Sequence, residues 1–455
     1  MMAPCLLSDL ESPVNGHLLG ADCEVKSVSI DSRKPQAGAL FVALEGESFD
    51  GHNFIGQAAE SGAVAAVVSH DVESVLPLLR VADTQRALGM IAAQNRNAFE
   101  GTLVAITGSS GKTTVKNMIH AVLSQRGSTL ATKGNLNNEI GVPLTLLDLG
   151  REHEFAVVEM GAGSRGDIAW LCELGRPSIA LLLNALPAHL EGFGSVEAVA
   201  EAKGEIFDDL GPAAIAVINA DQPWAGQWRE RASPATVLDY GLSHAAAVTA
   251  SNIELRGIDG VSFTALTPTG EIQMKLHFPG MHNVSNALAA IAVGLSCELS
   301  LEAIRKGLES VAPVAGRLSV ERLAGGMKVI DDCYNANPGS VRAAIDVLAS
   351  CPGRRTLVLG AMRELGSDSV KLHREIGAYA REAGIDQLWG VGPELECTVA
   401  AFGESGRYFA DRELAIAALP DVFAEDDTVL IKGSRGAAME HILSALRDDR
   451  LGGDC

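Results

Sequence analysis

The stretch AITGSSGKTTVK, residues 105–116, decides how this chain is read. A phosphate-binding loop of the common kind has a Gly, four residues, and then Gly-Lys-Ser/Thr. Counting back from Gly111-Lys112-Thr113 puts the first Gly at Ile106, and the upstream glycine is Gly108 instead. The loop is short, but its context is right. TLVAIT (102–107) predicts a buried strand and TTVKNMIHAVLSQRG (113–127) a helix. Backbone N–H groups at a helix start, approached closely at Gly108 and Gly111, form an anion nest. Lys112 reaches the terminal phosphates, and the Thr113 hydroxyl suits Mg²⁺. Gly108, Ser109, Ser110, Gly111, Lys112, Thr113 and Thr114 are therefore the nucleotide-phosphate candidates.

Partners for the loop follow along the chain. FAVVEMGAG places Glu159 at the end of the next apolar strand, on the edge where open α/β sheets bind ligands. LLLNALPAHLEGFGS puts His189 and Glu191 beyond a third strand. Lys203 lies in VEAVAEAKGEIF, where the pattern alone reads as a solvated helical charge. VIDDCYNANPGS crowds Asp331, Asp332, Tyr334, Asn335 and Asn337 after a strand, with Pro338 suited to a helix start. LIKGSRGAAMEHIL offers Lys432 and Arg435 at a second Gly-rich turn before a helix.

Apolar runs such as SIALLLN (178–184) and AIAVIN (214–219) recur between helical stretches and predict parallel strands buried on both faces. Residues 248–278 alternate instead, with GIDG and PTGE turn signals, and predict an antiparallel extension. The pattern restarts after residue 313 with MKVIDD, RTLVLG, DQLWGVG and TVLIKG. The fold class expected is α/β in three domains. Residues 1–82 form a small N-terminal α/β domain, 83–312 a central P-loop-type domain with a mainly parallel sheet, and 313–455 a C-terminal Rossmann-like, doubly wound domain.

Composition sets the remaining bounds. The 455 residues are 47% hydrophobic, and the formal net charge is −21. That charge repels nucleic acid, and no basic run offsets it. No apolar run is long enough to span a bilayer. Met1–Leu10 lacks a basic start and does not read as a secretory signal. The eight cysteines are scattered, which predicts reduced thiols and a cytoplasmic chain. Nothing in the sequence requires more than a monomer.

These stretches, taken in order, resemble the Mur ligases, the ATP-dependent ligases that build the peptide of bacterial peptidoglycan. The short TGSSGKTT loop is similar to theirs, and so are KGNLNNEIGVPLTLL, EMGAGSRGDI, AHLEGFGSVEAVAEAKGEI, GMHNVSNALAA and KGSRG. SIDSRKPQAGALFVALEGESFDGHNF resembles the uridine-nucleotide domain of the later-acting members. GNLNNEIG and DDCYNANP resemble the members that add D-Ala-D-Ala, and the Asp-Asn-Pro-Arg motif of those that add diaminopimelate or lysine is missing.

The resemblance implies roles that spacing does not. ATP and two Mg²⁺ ions are expected, with Thr113 and Glu159 on one ion and His189 with a carbamylated Lys203 on the other. His282, Asn283 and Asn286 are expected near adenine, and Arg317 and Asp332 near the ribose and phosphates. Asn135, Asn138, Tyr334, Asn335, Lys432, Ser434 and Arg435 are assigned to substrate, and Asp31, Ser32, Arg33 and His52 to the uridine nucleotide. The implied substrates are UDP-MurNAc-tripeptide and D-Ala-D-Ala. LVLGAMRELG departs from the pattern, with Ala361 where many relatives carry Asp. Without the resemblance, the residues leave open a P-loop kinase or hydrolase, or a nucleotide-binding switch. Folylpolyglutamate synthetase shares the core but lacks the N-terminal unit.

Overall fold

The computed structural model describes residues 2–451 except 35–36, 47, 324–325, 420–423 and 425. Pro35, Gln36 and Glu47 of the N-terminal motif, and Cys455, lie outside the described residues.

The central sheet has six strands, in the order Thr236–Tyr240, Ile215–Asn219, Ile179–Leu182, Thr102–Thr107, Phe155–Glu159 and Thr129–Ala131. Every neighbouring pair is parallel. Side chains alternate across a strand, so each strand feeds two cores. Leu103 and Ala105 join Ala156, Val158, Ala180 and Leu182 on one face. Val104 and Ile106 join Val157, Leu181, Val115 and Ile119 on the other, beneath helix Met281–Ser296. The chain leaves Thr102–Thr107 toward one edge of the sheet and leaves its neighbour Ile179–Leu182 toward the other, so the switch point lies between these two strands. The crevice beyond their carboxyl ends is where such sheets bind ligands.

The N-terminal sheet runs His17–Leu19, Leu78–Arg80, Ala63–Val68, Ala39–Val42, Ser27–Ser29, with only its first pair antiparallel. Leu40, Val42, Val67 and Leu79 share a continuous core with Leu88, Leu103 and Ala156. The N-terminal and central sheets are thus packed through common apolar surface. Asp83, whose carboxylate accepts from the Arg86 N–H at 2.9 Å, starts the helix Thr84–Asn97 between them.

The alternating segment forms the antiparallel sheet Thr249–Leu255, Val261–Thr267, Gly270–Leu276, as its pattern predicts. The C-terminal sheet runs Ser319–Arg322, Lys328–Asp332, Thr428–Lys432, Arg355–Gly360, Gln387–Val391, Gly406–Phe409. Only its first pair is antiparallel. Helices cover both of its faces.

Sequence patterning misses the short edge strands. Thr129–Ala131, Thr236–Tyr240 and Gly406–Phe409 are edge or near-edge elements whose half-exposed residues carry no apolar run. The run at 178–184 yields a strand only over Ile179–Leu182, because the chain then turns toward the loop of residues 108–111. Among the described residues no helix is long and apolar enough to cross a membrane, and the seven described cysteines are free.

Candidate active site

The loop is held by the segment that follows its neighbouring strand. The Ser110 N–H donates to Asn184 Oδ1 at 3.0 Å, and Asn184 Nδ2 donates back to the Ser110 carbonyl at 3.1 Å. The Ser109 hydroxyl and backbone pair with Leu186 and Asn184. A loop two residues short is thereby fixed by a clasp from outside it. Gly111 starts helix Lys112–Leu123 with φ +84°, and a Cβ there would lie 2.9 Å from Asn286 Oδ1. Only glycine fits both constraints. Lys112 Nζ donates to the loop's own Gly108 carbonyl at 2.7 Å, and burial lowers its pKa.

Glu159 is buried where its strand ends, yet its carboxylate is fully engaged. Thr113 Oγ1 donates to Oε2 at 2.9 Å and Asn137 Nδ2 donates to Oε1 at 2.8 Å. The Glu159 N–H donates to Thr132 Oγ1 at 2.9 Å, and buried Lys116 donates to the Thr132 carbonyl at 2.6 Å. Thr113 and Glu159 offer hard oxygen donors of the kind Mg²⁺ takes, side by side on the cavity wall.

Lys203 corrects the solvated reading of its pattern. It sits on the inner face of helix Val196–Gly204 and is 1% exposed. Burial, and then the charge of Lys112, push its amine down to about 7. Among the described residues no hydrogen bond or ion pair reaches it. Burial thus favours the neutral amine, the form that can react with CO₂. His189 caps the preceding short helix, Leu190–Phe193, in a left-handed conformation, φ +55°, and its Nδ1 pairs with Glu364 of the C-terminal domain. Burial lowers the His189 pKa, and Glu364 opposes this.

The C-terminal domain closes the site from the other side. Loop, Glu159, His189 and Lys203 share one cavity of about 560 Å³ with Asn135, Asn138, His282, Asn283, Asn286, Arg317, Asp332, Tyr334, Asn335 and Lys432. The Arg317 guanidinium lies 4.0 Å from the centre of the Tyr334 ring. Asp332 and Lys432 are opposite residues on adjacent parallel strands, and Lys432 Nζ donates to Asp332 Oδ2 at 2.5 Å and to the Asn335 carbonyl at 2.8 Å. Lys432 is thus tied within its own domain although it lines the cavity. His282 is pushed down to about 4 by burial and by Lys432, so it is neutral at physiological pH. Asn286 Nδ2 donates to Asn283 Oδ1 at 2.9 Å, linking the two residues expected near adenine.

Other expected residues stand elsewhere. Ser434 is buried, its N–H donating to the Ala361 carbonyl at 3.0 Å, and Arg435 is exposed beside Glu440; neither lines the cavity. Asp31 and Arg33 form a two-point pair on the N-terminal domain, and Ser32 donates to Gln57 at 2.7 Å. His52 has a buried ring with both nitrogens engaged, Nδ1 with Asp50 at 2.6 Å and Nε2 with the Ser69 N–H at 2.9 Å. It braces its loop and has no free nitrogen for a ligand. Sequence reading missed Asn184, Lys116 and Asn137. Asn137 sits in the noted GNLNNEIG run between Asn135 and Asn138, and Lys116 ends the opening stretch itself.

Comparison with known proteins identifies similar chains and folds. Residues 24–96, 106–294 and 316–435 match the family models described as Mur ligase family, catalytic domain; Mur ligase middle domain; and Mur ligase, glutamate ligase domain. The chain is 46% identical to the UDP-N-acetylmuramoyl-tripeptide--D-alanyl-D-alanine ligase of Escherichia coli (strain K12), over 98% of this chain and 99% of that protein. Its structure resembles MurF from Acinetobacter baumannii, with TM-score 0.93, 35% identity and coverage of 98% and 99%. It also resembles the MurF ligase from Thermotoga maritima in complex with ADP, with TM-score 0.85, 29% identity and coverage of 94% and 98%.

Proposed function

The chain belongs to the Mur ligase family, and we propose that it joins D-Ala-D-Ala to UDP-MurNAc-tripeptide at the expense of ATP. The product is UDP-MurNAc-pentapeptide, with ADP and phosphate released, a step of peptidoglycan precursor synthesis. The observation that carries this reading is the single cavity in which the phosphate loop meets polar groups of the C-terminal domain. A kinase or hydrolase needs the loop but not the Asp332–Asn335 wall.

A carboxylate is a poor electrophile, and ATP corrects this by phosphorylating it. Two anions must then approach each other, so placement of positive charge dominates the step. Lys112 leaves the Gly108 carbonyl and follows the γ-phosphate. Thr113 and Glu159 would hold one Mg²⁺; His189 and a carbamate on Lys203 would hold a second. Carbamylation converts the amine into an oxygen donor, which Mg²⁺ prefers. When bound, the ions neutralise charge on the transferred phosphoryl group. Neutral His282, Asn283 and Asn286 face adenine, and Arg317 lies beside the ribose and phosphates. The amine of D-Ala-D-Ala attacks the acyl phosphate near Tyr334 and Asn335, and phosphate leaves. The enclosing domains keep water from this intermediate. Asp31, Ser32 and Arg33 seat the uridine nucleotide.

The test is phosphate release with UDP-MurNAc-tripeptide, with and without D-Ala-D-Ala, glutamate, diaminopimelate or lysine. Release that depends on the dipeptide supports the reading; release without any acceptor favours a hydrolase and sinks it.

A further inference from the structure

The departure at Ala361 draws attention to its loop, Ala361–Gly366, which joins strand Arg355–Gly360 to the helices beyond. The carboxylate in this loop that reaches the central domain is Glu364, which pairs with His189 Nδ1. A single pair between half-exposed groups would mean little, but the backbone makes this one specific. His189 and Glu364 both adopt left-handed conformations, φ +55° and +62°, which non-glycine residues keep only where their surroundings impose them. The loop is anchored from below. The Met362 N–H donates to Nε2 of buried His373 at 3.1 Å, the Ala361 carbonyl accepts from the Ser434 N–H at 3.0 Å, and Ala361, Met362 and Leu365 are buried. The Glu191 N–H also donates to the Glu364 carbonyl at 3.3 Å, so backbone and side chain join the same two domains.

A carboxylate on Nδ1 decides what the rest of the imidazole does. It holds the proton at Nδ1, fixes the ring plane and leaves the Nε2 lone pair for a ligand in the shared cavity. We propose that Glu364 is a positioning residue for the cation site: by closing onto His189, the C-terminal domain orients Nε2 to bind a divalent cation. Cation binding and domain closure are then one coupled event. The inference rests on the reading above that His189 holds a cation.

The test uses full-length protein, ADP and Mn²⁺, with free Mn²⁺ read by electron paramagnetic resonance. Glu364→Ala is expected to weaken Mn²⁺ binding about tenfold or more, the usual effect of losing such a partner. It should raise the Mg²⁺ needed for half-maximal turnover by a similar factor. Glu364→Gln still accepts from Nδ1–H and should fall between Ala and wild type. His189→Ala is the reference. If His189→Ala weakens Mn²⁺ binding and Glu364→Ala does not, the positioning role is overturned and the His189 assignment stands. If neither variant changes binding, both are overturned.

Discussion

Asn337 Nδ2 donates to Ser110 Oγ at 3.0 Å, so the C-terminal domain hydrogen-bonds directly to the phosphate loop. The same side chain caps its own helix, Pro338–Ala349, its Oδ1 accepting from the Ser340 N–H at 2.8 Å. One residue therefore starts a helix and senses whether the cleft is shut.

Substitution separates these two duties. Asn337→Ser keeps a good cap and is too short to reach Ser110. Its denaturation midpoint should match wild type, while scattering should show less compaction with an ATP analogue. Asn337→Ala should also lose about 1 kcal/mol of stability, the usual worth of a cap. Equal compaction in all three proteins would remove Asn337 from the closing contact.

Lys112→Ala should lower turnover at least about a hundredfold, the scale for losing one preorganised donor at developing charge. The fold should survive, because the amine makes one hydrogen bond, to Gly108 within the same loop. Phosphate release and a circular-dichroism melt together check this.

Asn137→Ala removes the donor to Glu159 Oε1. The Mg²⁺ concentration for half-maximal rate should rise about tenfold, as for other groups that orient a metal ligand. The KM for D-Ala-D-Ala should not move, and a change confined to that KM would place Asn137 in the acceptor site instead.

Lys203 gives a pH signature. Its folded pKa of about 7 lies below the ordinary lysine value of 10.5, so the unfolded chain binds the extra proton between those values. Its contribution to stability therefore rises with pH from about 7 to about 10.5 and is flat below that window. CO₂ adds to the neutral amine, so a carbamate signal in ¹³C NMR with labelled bicarbonate should fade as pH drops below 7. Lys203→Ala should lose the signal and most activity, with partial rescue of rate by short carboxylates. An unchanged rate in Lys203→Ala would end the carbamate's role.

What the sequence reveals follows from physics. Strands buried on both faces, such as Leu103–Ile106, must be apolar throughout and are legible. Short edge strands such as Gly406–Phe409 obey no such demand and are not. The phosphate loop is legible because helix N-termini and glycines leave a local signature. Lys203 is not, because its burial depends on packing between distant segments, and a lysine in a helix looks the same either way. Asn184 and Glu364 are hidden for the same reason: each acts on a residue far away in sequence, Ser110 and His189. Lys432 shows the converse error, since its strand was legible but its partner, Asp332 on the neighbouring strand, was not.

The central claim is that the tripeptide carboxylate is phosphorylated before the dipeptide attacks. Label both oxygens of that carboxylate with ¹⁸O and collect the phosphate released during ligation. The account predicts that each phosphate carries one ¹⁸O atom, left behind when the amine displaces it. Unlabelled phosphate would show that the carboxylate was never phosphorylated, and would contradict the account.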